Sequence, residues 1–380
     1  MEEIKTDGRK DSDIKYAARK LLHLLDTHPD KYEVHIFKLD MLEAVSEFSV
    51  SNDMKILATA IDYDRMIHPD ETIFITNDLA LKHIANLFFG EDSIASVQEE
   101  VDDYCGYIEV VMEEDEMAEF YSNPEVNKYE VLVNGYINIY NTDKELVDTL
   151  CWTGERWRHL SYETFNSMFF GPVKPLKGDI YQAIFADSLV NNNITLVKGP
   201  AGSGKTYLSL AYLFYLLGKG RIDKIIVFCN TVATKGSAKL GFYPGSRDEK
   251  LLDSQIGNLL ASKLGDRIIV EQLIGEGKLI LLPLSDVRGY DTSGMNAGIY
   301  ISEAQNMDIN LMKLTLQRIG SDGICIIDGD AKAQVDMIEF AGAANGMRRV
   351  SKVFRGSDVY GEVGLKKIHR SKIALLAEKL

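Results

Sequence analysis

The sequence has few cysteines and lacks the patterns that mark secreted, metal-binding or membrane proteins. Four of its 380 residues are cysteines, and they are scattered without a C-x-x-C pair or another metal-ligand spacing. Such cysteines are typical of reduced thiols, so we expect a cytoplasmic protein without disulfides. The chain contains neither a signal-peptide pattern nor an apolar run long enough to cross a membrane, and we expect no membrane partner.

Positive charge and proline are also scarce. The chain has 42 lysines and arginines against 57 acidic residues, a formal net charge of -15. This balance argues against a surface that coats nucleic acid through bulk charge, although it is compatible with a local basic patch. With only 8 prolines and no low-complexity tract, the chain has little room for long disorder. Its length and ordinary composition predict a globular protein of two or three domains.

The most informative stretch is 193–220. The apolar run 194–197 predicts a strand, and a helical pattern with one broad apolar face follows and ends at Gly218. Between them the sequence fits G-x-x-x-x-G-K-[ST]. The residues of this loop are Gly199, Pro200, Ala201, Gly202, Ser203, Gly204, Lys205 and Thr206.

A loop of this kind binds nucleotide phosphates. Its glycines let backbone N–H groups wrap a phosphate, and the helix N-terminus adds the positive end of its dipole. Lys205 is placed to reach the β- and γ-phosphates, and Thr206 to put its hydroxyl on Mg²⁺. We therefore predict ATP and Mg²⁺ as cofactors. The alternative is a glycine-rich turn that binds no nucleotide.

Four further apolar runs follow, as expected for parallel strands buried on both faces of a sheet. They lie at 224–229, 279–283, 298–302 and 324–327.

The third of these runs occupies the place of the second ATPase motif, which usually ends in Asp-Glu. The Asp there holds Mg²⁺ through water. Here Ser302 offers a hydroxyl without charge, which predicts a weaker hold on the metal. Glu303 is our candidate to orient or deprotonate the attacking water. Gln305 or Asn306 is a candidate sensor of the γ-phosphate or a relay to a nucleic-acid site.

Three polar residues elsewhere are candidates for nucleotide contacts. After the run 324–327, Asp330 and Gln334 form the Gly-Asp-x-x-x-Gln pattern, a γ-phosphate sensor of superfamily 1 helicases. Asp330 is also a candidate to replace the charge missing at Ser302. Gln182, before the loop, is a candidate to read adenine, because its amide can bond both edge atoms of the ring. The alternative is that Gln182 is a surface helix residue.

The middle of the chain has the alternating pattern of β-structure. Asn134-Gly135 predicts a hairpin, and 152–158 predicts a turn between two strands. Trp152, Trp157 and the arginines beside them could stack on single-stranded bases. We favour the alternative, in which these aromatic residues form the core of a small module.

The N-terminal third alternates helices and strands. Asp53 begins a predicted helix, and Asp78 follows a predicted strand at 72–75. These segments resemble the second half of a PIN nuclease domain, a family in which three or four carboxylates hold Mg²⁺ or Mn²⁺ for RNA cleavage. Nothing before residue 13 resembles a strand, so the first metal-binding Asp of that family is not found, and we expect either a truncated PIN-like remnant or a domain whose beginning this sequence omits. The alternative is that both residues only cap helices.

The ATPase half is similar to the PhoH-like ATPase family. The resemblance runs from about residue 173 to the end of the sequence through the motifs GPAGSGKT, NTVATKGSAKLGFYPG, YISEAQN, LQRIGSDG and IIDGDAKAQ. With the PIN-like part before it, the chain looks like a PIN–PhoH fusion. The resemblance implies an ATPase acting on single-stranded RNA, an RNA helicase role and a ring-shaped homo-oligomer, a hexamer.

One feature predicts oligomerisation independently of the family. Only about fifty residues follow Asp330, too few for the second RecA-like domain that completes the ATP site of superfamily 1 and 2 helicases. An arginine finger must then come from the same domain or from a neighbouring subunit. Arg370 is our first choice and Arg318 the second, and the alternative for each is a surface charge. Further candidates are Arg348, Arg349 and Arg355.

Together these patterns predict an α/β protein with three parts. They are a partial PIN-like α/β domain at 1–100, a β-rich connecting module at 101–170 and a single RecA-like P-loop ATPase domain with a parallel sheet at 171–380. The leading functional hypothesis is an RNA-stimulated ATPase. The alternatives are a nucleotide-gated assembly with little hydrolysis and an RNase regulated by the ATPase half.

Overall fold

The chain divides into two units, Met1–Glu100 and Val101–Leu380. The computed structural model describes residues 21, 25–31, 51–66, 72–96, 104–229, 255–283, 294–320, 323–330 and 345–369. Within these ranges, no helix combines the length and the apolar character that a membrane crossing requires.

The N-terminal unit combines helices with a pair of short parallel strands. Its elements are α1 (Asn52–Met66), β1 (Phe74–Ile75), α2 (Leu79–Ala85) and β2 (Ile94–Ala95), with 3-10 turns at Pro29–Lys31 and Glu91–Ser93. β1 pairs with β2 in parallel. Helix α1 buries Met54, Leu57 and Ile61, one face at helical spacing, against Phe74 of β1. This arrangement has the α/β alternation that the sequence predicts.

The β-rich part of the second unit contains two small sheets. Its elements are β3 (Tyr107–Val111), α3 (Glu114–Ser122), β4 (Tyr136–Tyr140), β5 (Leu146–Trp152), β6 (Trp157–His159), β7 (Phe165–Ser167) and β8 (Gly171–Val173). Strands β3 to β6 form one sheet in that order, and β7 pairs with β8. In the first sheet, β3 and β4 are parallel and the other pairs are antiparallel.

The predicted hairpin at Asn134-Gly135 is wrong. Strand β4 begins after this pair and turns back into β5 through residues 141–145, one turn later than predicted. Asn134 does have left-handed backbone (φ 61), but its side-chain amide donates hydrogen bonds to the carbonyls of Ser357, Asp358 and Tyr360. The Asn-Gly turn therefore connects distant segments of the chain instead of joining two neighbouring strands.

The two tryptophans form a core, which confirms the favoured interpretation. Trp152 and Trp157 are 8% and 5% exposed, and their ring centroids lie 5.2 Å apart on the paired ends of β5 and β6. Trp157 also packs on Phe120 of α3, at 5.4 Å between ring centroids. The guanidinium of Arg158 is held by two hydrogen bonds to the buried carboxylate of Asp187.

A six-stranded parallel sheet forms the centre of the ATPase part. The elements around it are α4 (Ile180–Asn191), β9 (Ile194–Lys198), α5 (Lys205–Gly218), β10 (Lys224–Cys229), α6 (Gln255–Leu264), α7 (Arg267–Gly275), β11 (Leu279–Pro283), β12 (Ala297–Ile301), α8 (Ile309–Leu316), β13 (Ile324–Gly329), α9 (Gly346–Phe354) and β14 (Tyr360–Gly364). The strand order is β11-β10-β12-β13-β9-β14. All five described strand pairs are parallel.

Both faces of the sheet are covered, which explains why its strands read as continuous apolar runs. On one face α4, α5, α6 and α7 bury the larger hydrophobic cluster, and on the other α8 and α9 bury a second cluster. Cys325 of β13 is fully buried, as expected of a core thiol. The predicted single parallel sheet of an α/β domain, preceded by a β-rich part, is confirmed.

Candidate functional site

The predicted phosphate-binding loop connects β9 to α5, as the sequence indicates. Gly204 precedes α5 with left-handed backbone (φ 95), and a Cβ there would lie 2.7 Å from the side-chain nitrogen of Gln182. The position therefore requires glycine. Lys205 donates hydrogen bonds from Nζ to the carbonyls of Gly199 (2.6 Å) and Pro200 (3.1 Å). The ammonium group of Lys205 therefore lies against the backbone of the predicted phosphate-binding loop.

Gln182 holds the loop from the side of α4. Its side-chain Nε2 donates to the carbonyl of Ser203 (3.0 Å), and its Oε1 accepts from the N–H of Leu176 (2.9 Å). The side chain is 3% exposed, so Gln182 is not a surface residue. Its contacts link the loop to the segment before α4. Adenine recognition by Gln182 stays a prediction.

The segment that follows β14, residues 365–369, holds the loop from the other side. The N–H of Leu365 donates to the carbonyl of Lys198 (2.7 Å), and the N–H of His369 donates to the carbonyl of Gly202 (2.9 Å). The His369 ring forms a hydrogen bond with Asp179 (2.5 Å between Nε2 and Oδ2), and Asp179 caps the N-terminus of α4. The phosphate-binding loop is therefore held between α4 and a segment more than 160 residues further along the chain.

A buried carboxylate links the loop to the neighbouring strands. Asp328, at the carboxyl end of β13, is 2% exposed and accepts three hydrogen bonds. The donors are the hydroxyl of Thr206 (3.1 Å), the N–H of Glu303 (3.1 Å) and the hydroxyl of Tyr300. We call these four residues the Asp328 cluster. Burial and the adjacent Asp328 charge raise the pKa of Tyr300 well above its usual value, so Tyr300 stays a donor.

Glu303 follows β12 with its side chain exposed and its backbone left-handed (φ 55). Such a conformation is strained for a residue with a side chain and is frequent at functional sites. The amide of Gln305 donates to the Glu303 carboxylate (2.5 Å) and accepts from the N–H of Asp330 (3.1 Å). Gln305 therefore fixes the position of Glu303 and joins the ends of β12 and β13.

The residues present fit both predicted cofactors. Ser203 has a buried hydroxyl without a hydrogen-bond partner among the described residues, on a loop whose pattern binds phosphate. Thr206 and Ser302 supply hydroxyl oxygens beside a carboxylate on the adjacent strand, and oxygen ligands are those that Mg²⁺ prefers. The arrangement is suited to binding the phosphates of a nucleotide together with a divalent cation.

Comparison with known proteins assigns the chain to a family. The family model described as PhoH-like protein matches residues 176–378, more than half of the chain. The chain belongs to the PhoH-like family. This match begins just before α4 and includes the phosphate-binding loop, the Asp328 cluster and the whole six-stranded sheet. The resemblance that the sequence motifs indicate is therefore confirmed, and the loop is the P-loop of a PhoH-like protein.

Individual relatives extend the comparison to other parts of the chain. The PhoH-like protein of Bacillus subtilis is 32% identical over 180 residues, 47% of this chain and 54% of the relative. The PhoH-like protein of Mycobacterium tuberculosis is 30% identical over 179 residues, 47% of this chain and 49% of the relative. The chain thus spans about half the length of these relatives. Protein PhoH2 of Bacillus subtilis is 26% identical over 354 residues, covering 87% of this chain and 78% of the relative, so that likeness also includes residues before 176.

Several predicted residues of this PhoH-like chain lie outside the described ranges or away from the P-loop. Arg370, Gln334 and the motif within 230–250 are outside those ranges. Arg355 stacks on the Tyr104 ring (4.6 Å) and donates to the carbonyl of Ser351 (2.9 Å), so its described contacts are with the fold. Arg318 is half-buried just after α8. The identity of an arginine finger stays a prediction.

The two acidic residues of the N-terminal unit are both exposed. Asp78 caps α2, accepting from the N–H of Leu81 (3.0 Å), whereas Asp53 lies in the first turn of α1, which is capped by the hydroxyl of Ser51. The part of the chain that the structure describes contains no group of three or more histidine, cysteine or acidic side chains able to hold a metal ion. A metal role for Asp53 and Asp78 stays a prediction.

Sequence reasoning missed two groups of residues. Tyr300 lies inside an apolar run that predicts a strand and Asp328 directly follows another, and neither belongs to the loop pattern. The Asp-Gly-Asp ending of β13 contains two carboxylates, but only the pairing of the strands shows which one reaches Thr206. The Asp179–His369 pair joins residues far apart in sequence, so no local pattern identifies it.

Proposed function

We propose that the protein hydrolyses ATP and that single-stranded RNA stimulates this activity. The observation that supports hydrolysis is the pairing of a P-loop with Glu303, an exposed carboxylate held by Gln305 and anchored through its N–H to Asp328. A carboxylate in this position suits a general base for water. It is less suited to a protein that only binds nucleotide.

Each residue of the site has a defined task in this proposal. The P-loop N–H groups and Lys205 bind the phosphates, and Gln182 with the 365–369 segment keeps the loop in shape. Thr206 would hold Mg²⁺ with Ser302 nearby. The ion neutralises charge on the β- and γ-phosphates when it is bound. Glu303 orients the attacking water and accepts its proton.

A basic face on α9 supports RNA as the partner. Arg348, Arg349 and Lys352 are exposed, and Lys352 follows the two arginines by four and three residues, so the three side chains share one side of the helix. The helix has no acidic residue, although the chain as a whole is strongly acidic. Such a face suits the phosphate backbone of a nucleic acid.

Asn345 connects this basic face to the catalytic residues. It caps α9 by accepting from the N–H of Arg348 (3.0 Å), and its side-chain nitrogen donates to the carbonyl of Gln305 (2.7 Å). Gln305 in turn holds the Glu303 carboxylate. RNA that shifts α9 would therefore move the residue proposed as general base. This route supports stimulation by RNA and an RNA helicase role.

We also propose that the protein acts as a ring-shaped oligomer, a hexamer in the cytoplasm. The described residues contain a single P-loop sheet, without a second sheet of that kind to close the ATP site. In this proposal, a neighbouring copy of the chain closes the open side of the ATP site and supplies an arginine finger. The free thiols of Cys105, Cys151 and Cys325 support a reducing location.

The test is steady-state phosphate release from ATP and Mg²⁺ by the wild-type chain and by Lys205→Ala. We expect the variant to lose about 100-fold or more of the turnover, because it loses a charge aimed at the transferred phosphate. Lys219→Ala is the matched control, since Lys219 is exposed at the opposite end of α5. Wild-type turnover in Lys205→Ala contradicts the proposal. ATP binding without measurable release favours the nucleotide-gated assembly instead.

A further inference from the structure

The site lacks a charge where the usual ATPase motif has one, and it has a charge on the strand beside it. Ser302 follows β12 at the position of the usual metal-holding Asp. Asp328 is the penultimate residue of the next strand, β13, and its carboxylate lies 3.1 Å from the hydroxyl of Thr206. Thr206 is the P-loop residue expected to hold Mg²⁺.

Strand register shows that Ser302 and Asp328 are neighbours. Ile301 of β12 pairs with Ile327 of β13 in a parallel ladder, so the next residues on each strand are Ser302 and Asp328. Strands in a sheet lie about 4.8 Å apart, and register neighbours point to the same face. β13 lies between β12 and β9, the strand that leads into the P-loop. Asp328 is therefore one strand closer to the P-loop than Ser302.

We propose that Asp328 replaces the missing charge at Ser302 and positions Mg²⁺ for this chain. This inference rests on the proposed function, because it assumes that the site binds a nucleotide with its metal. It assigns the role to Asp328 rather than to Asp330, the residue favoured by the sequence pattern. Asp328 acts beside the Thr206 hydroxyl, through the water shell of the ion.

The contacts of Asp328 suit this role. Its two oxygens accept hydrogen bonds from Thr206, Glu303 and Tyr300, and these three donors hold the carboxylate in place beside the P-loop. The same carboxylate touches the residue that holds the metal and the backbone of the proposed base. Asp328 thereby links Thr206, which would hold the metal, to the backbone of Glu303.

The test exchanges the charge between the two strands. Three chains are compared: the wild type, Asp328→Asn, and the double variant Ser302→Asp with Asp328→Ser. A fluorescent ADP analogue is titrated with Mg²⁺ and, separately, in EDTA, and Mn²⁺ bound with ADP is followed by electron paramagnetic resonance. Asp115→Asn, an exposed acid on α3, is the control variant.

We expect Asp328→Asn to weaken Mg²⁺ binding to the ADP complex by about 10- to 100-fold, the usual effect of removing a residue that supports a metal site. Binding of ADP in EDTA should change far less. The double variant should restore Mg²⁺ affinity and the Mn²⁺ signal, because it moves the charge back to β12. If Asp328→Asn does not fold, the double variant still tests the exchange.

Two outcomes overturn the inference. One is Mg²⁺ affinity that is unchanged in Asp328→Asn. The other is a double variant that melts at the wild-type temperature but does not regain Mg²⁺ affinity, because the role of Asp328 would then be structural. A wild-type chain that binds no ADP contradicts the proposed function itself. Failure of the inference alone gives a different result. The wild-type chain then binds ADP in a Mg²⁺-dependent way, and the substitution of Asp328 does not change this binding.

Discussion

Glu303, the residue proposed as general base, combines a strained backbone with a fixed carboxylate. It has left-handed backbone immediately after β12, and its N–H and carboxylate are each held by a partner, Asp328 and Gln305. These two contacts offset the cost of the conformation, which is of order 1–3 kcal/mol. The carboxylate is thereby fixed relative to Thr206 before a nucleotide enters.

The proposed role of Glu303 predicts the effect of the substitution Glu303→Gln on turnover. The variant keeps the shape of the side chain but removes its ability to accept a proton, so turnover should fall by about 100- to 10,000-fold. ATP binding should persist, because the P-loop is unchanged. Phosphate release and ATP affinity measured together check this. Glu271→Gln, exposed on α7, is the control. A Glu303→Gln chain with wild-type turnover would exclude Glu303 as the base.

The P-loop and Glu303 could be predicted from sequence because each belongs to a local pattern. The positions of Asp328 and Gln182 could not. The sequence pattern favours Asp330, and only the hydrogen bond from Thr206 shows that Asp328 is the carboxylate beside the P-loop. The sequence predicts that Gln182 reads adenine or lies on the surface of a helix, and it does not indicate the bond to Ser203, which spans 21 positions of the chain.

Strand β14 is an element that the sequence patterns do not predict. Its residues, Tyr360–Gly364, include two glycines and a glutamate, a composition that does not predict a strand, and it lies at one edge of the six-stranded sheet. Glu362 is nonetheless 2% exposed, because it pairs with Lys198 of β9 and accepts from the hydroxyls of Ser351 and Tyr360. The other five strands of this sheet are visible in the sequence as apolar runs.

The basic face of helix α9 predicts how RNA binding depends on salt. The double variant Arg349→Ala and Lys352→Ala removes two exposed charges from its basic face, so RNA should bind more weakly and with less dependence on salt. For single strands the slope of log affinity against log salt should fall by about 0.7 for each lost phosphate contact. RNA titrations at several salt concentrations measure this slope.

Lys219→Ala again supplies the control for α9, since it removes an exposed charge on a different helix. It should leave the salt slope at the wild-type value. An unchanged slope in the α9 variant would show that RNA binds elsewhere on the chain.

For the whole molecule, the burial of tyrosines predicts how stability depends on pH. Burial raises the pKa of Tyr136, Tyr300 and Tyr360 well above the usual value, and the carboxylates beside them raise it further. Tyrosines of the unfolded chain ionise near pH ~10, whereas these three keep their protons in the native state. The stability they contribute is therefore complete below about pH 10 and is lost as the pH rises further.

Urea unfolding between about pH 8 and about pH 11 tests this dependence. The unfolding midpoint should fall with rising pH, and the phenolate absorbance of these tyrosines should appear only together with unfolding. A constant midpoint over this range contradicts the account of the buried tyrosines.

We propose that this PhoH-like protein hydrolyses ATP and that single-stranded RNA stimulates the hydrolysis. Phosphate release from ATP is the measurement that tests this proposal. The measurement compares single-stranded RNA, single-stranded DNA and no nucleic acid, with Lys205→Ala as the background. We predict Mg²⁺-dependent release by the wild-type chain that rises when RNA is added. Release no greater than that of Lys205→Ala under all three conditions would contradict the claim.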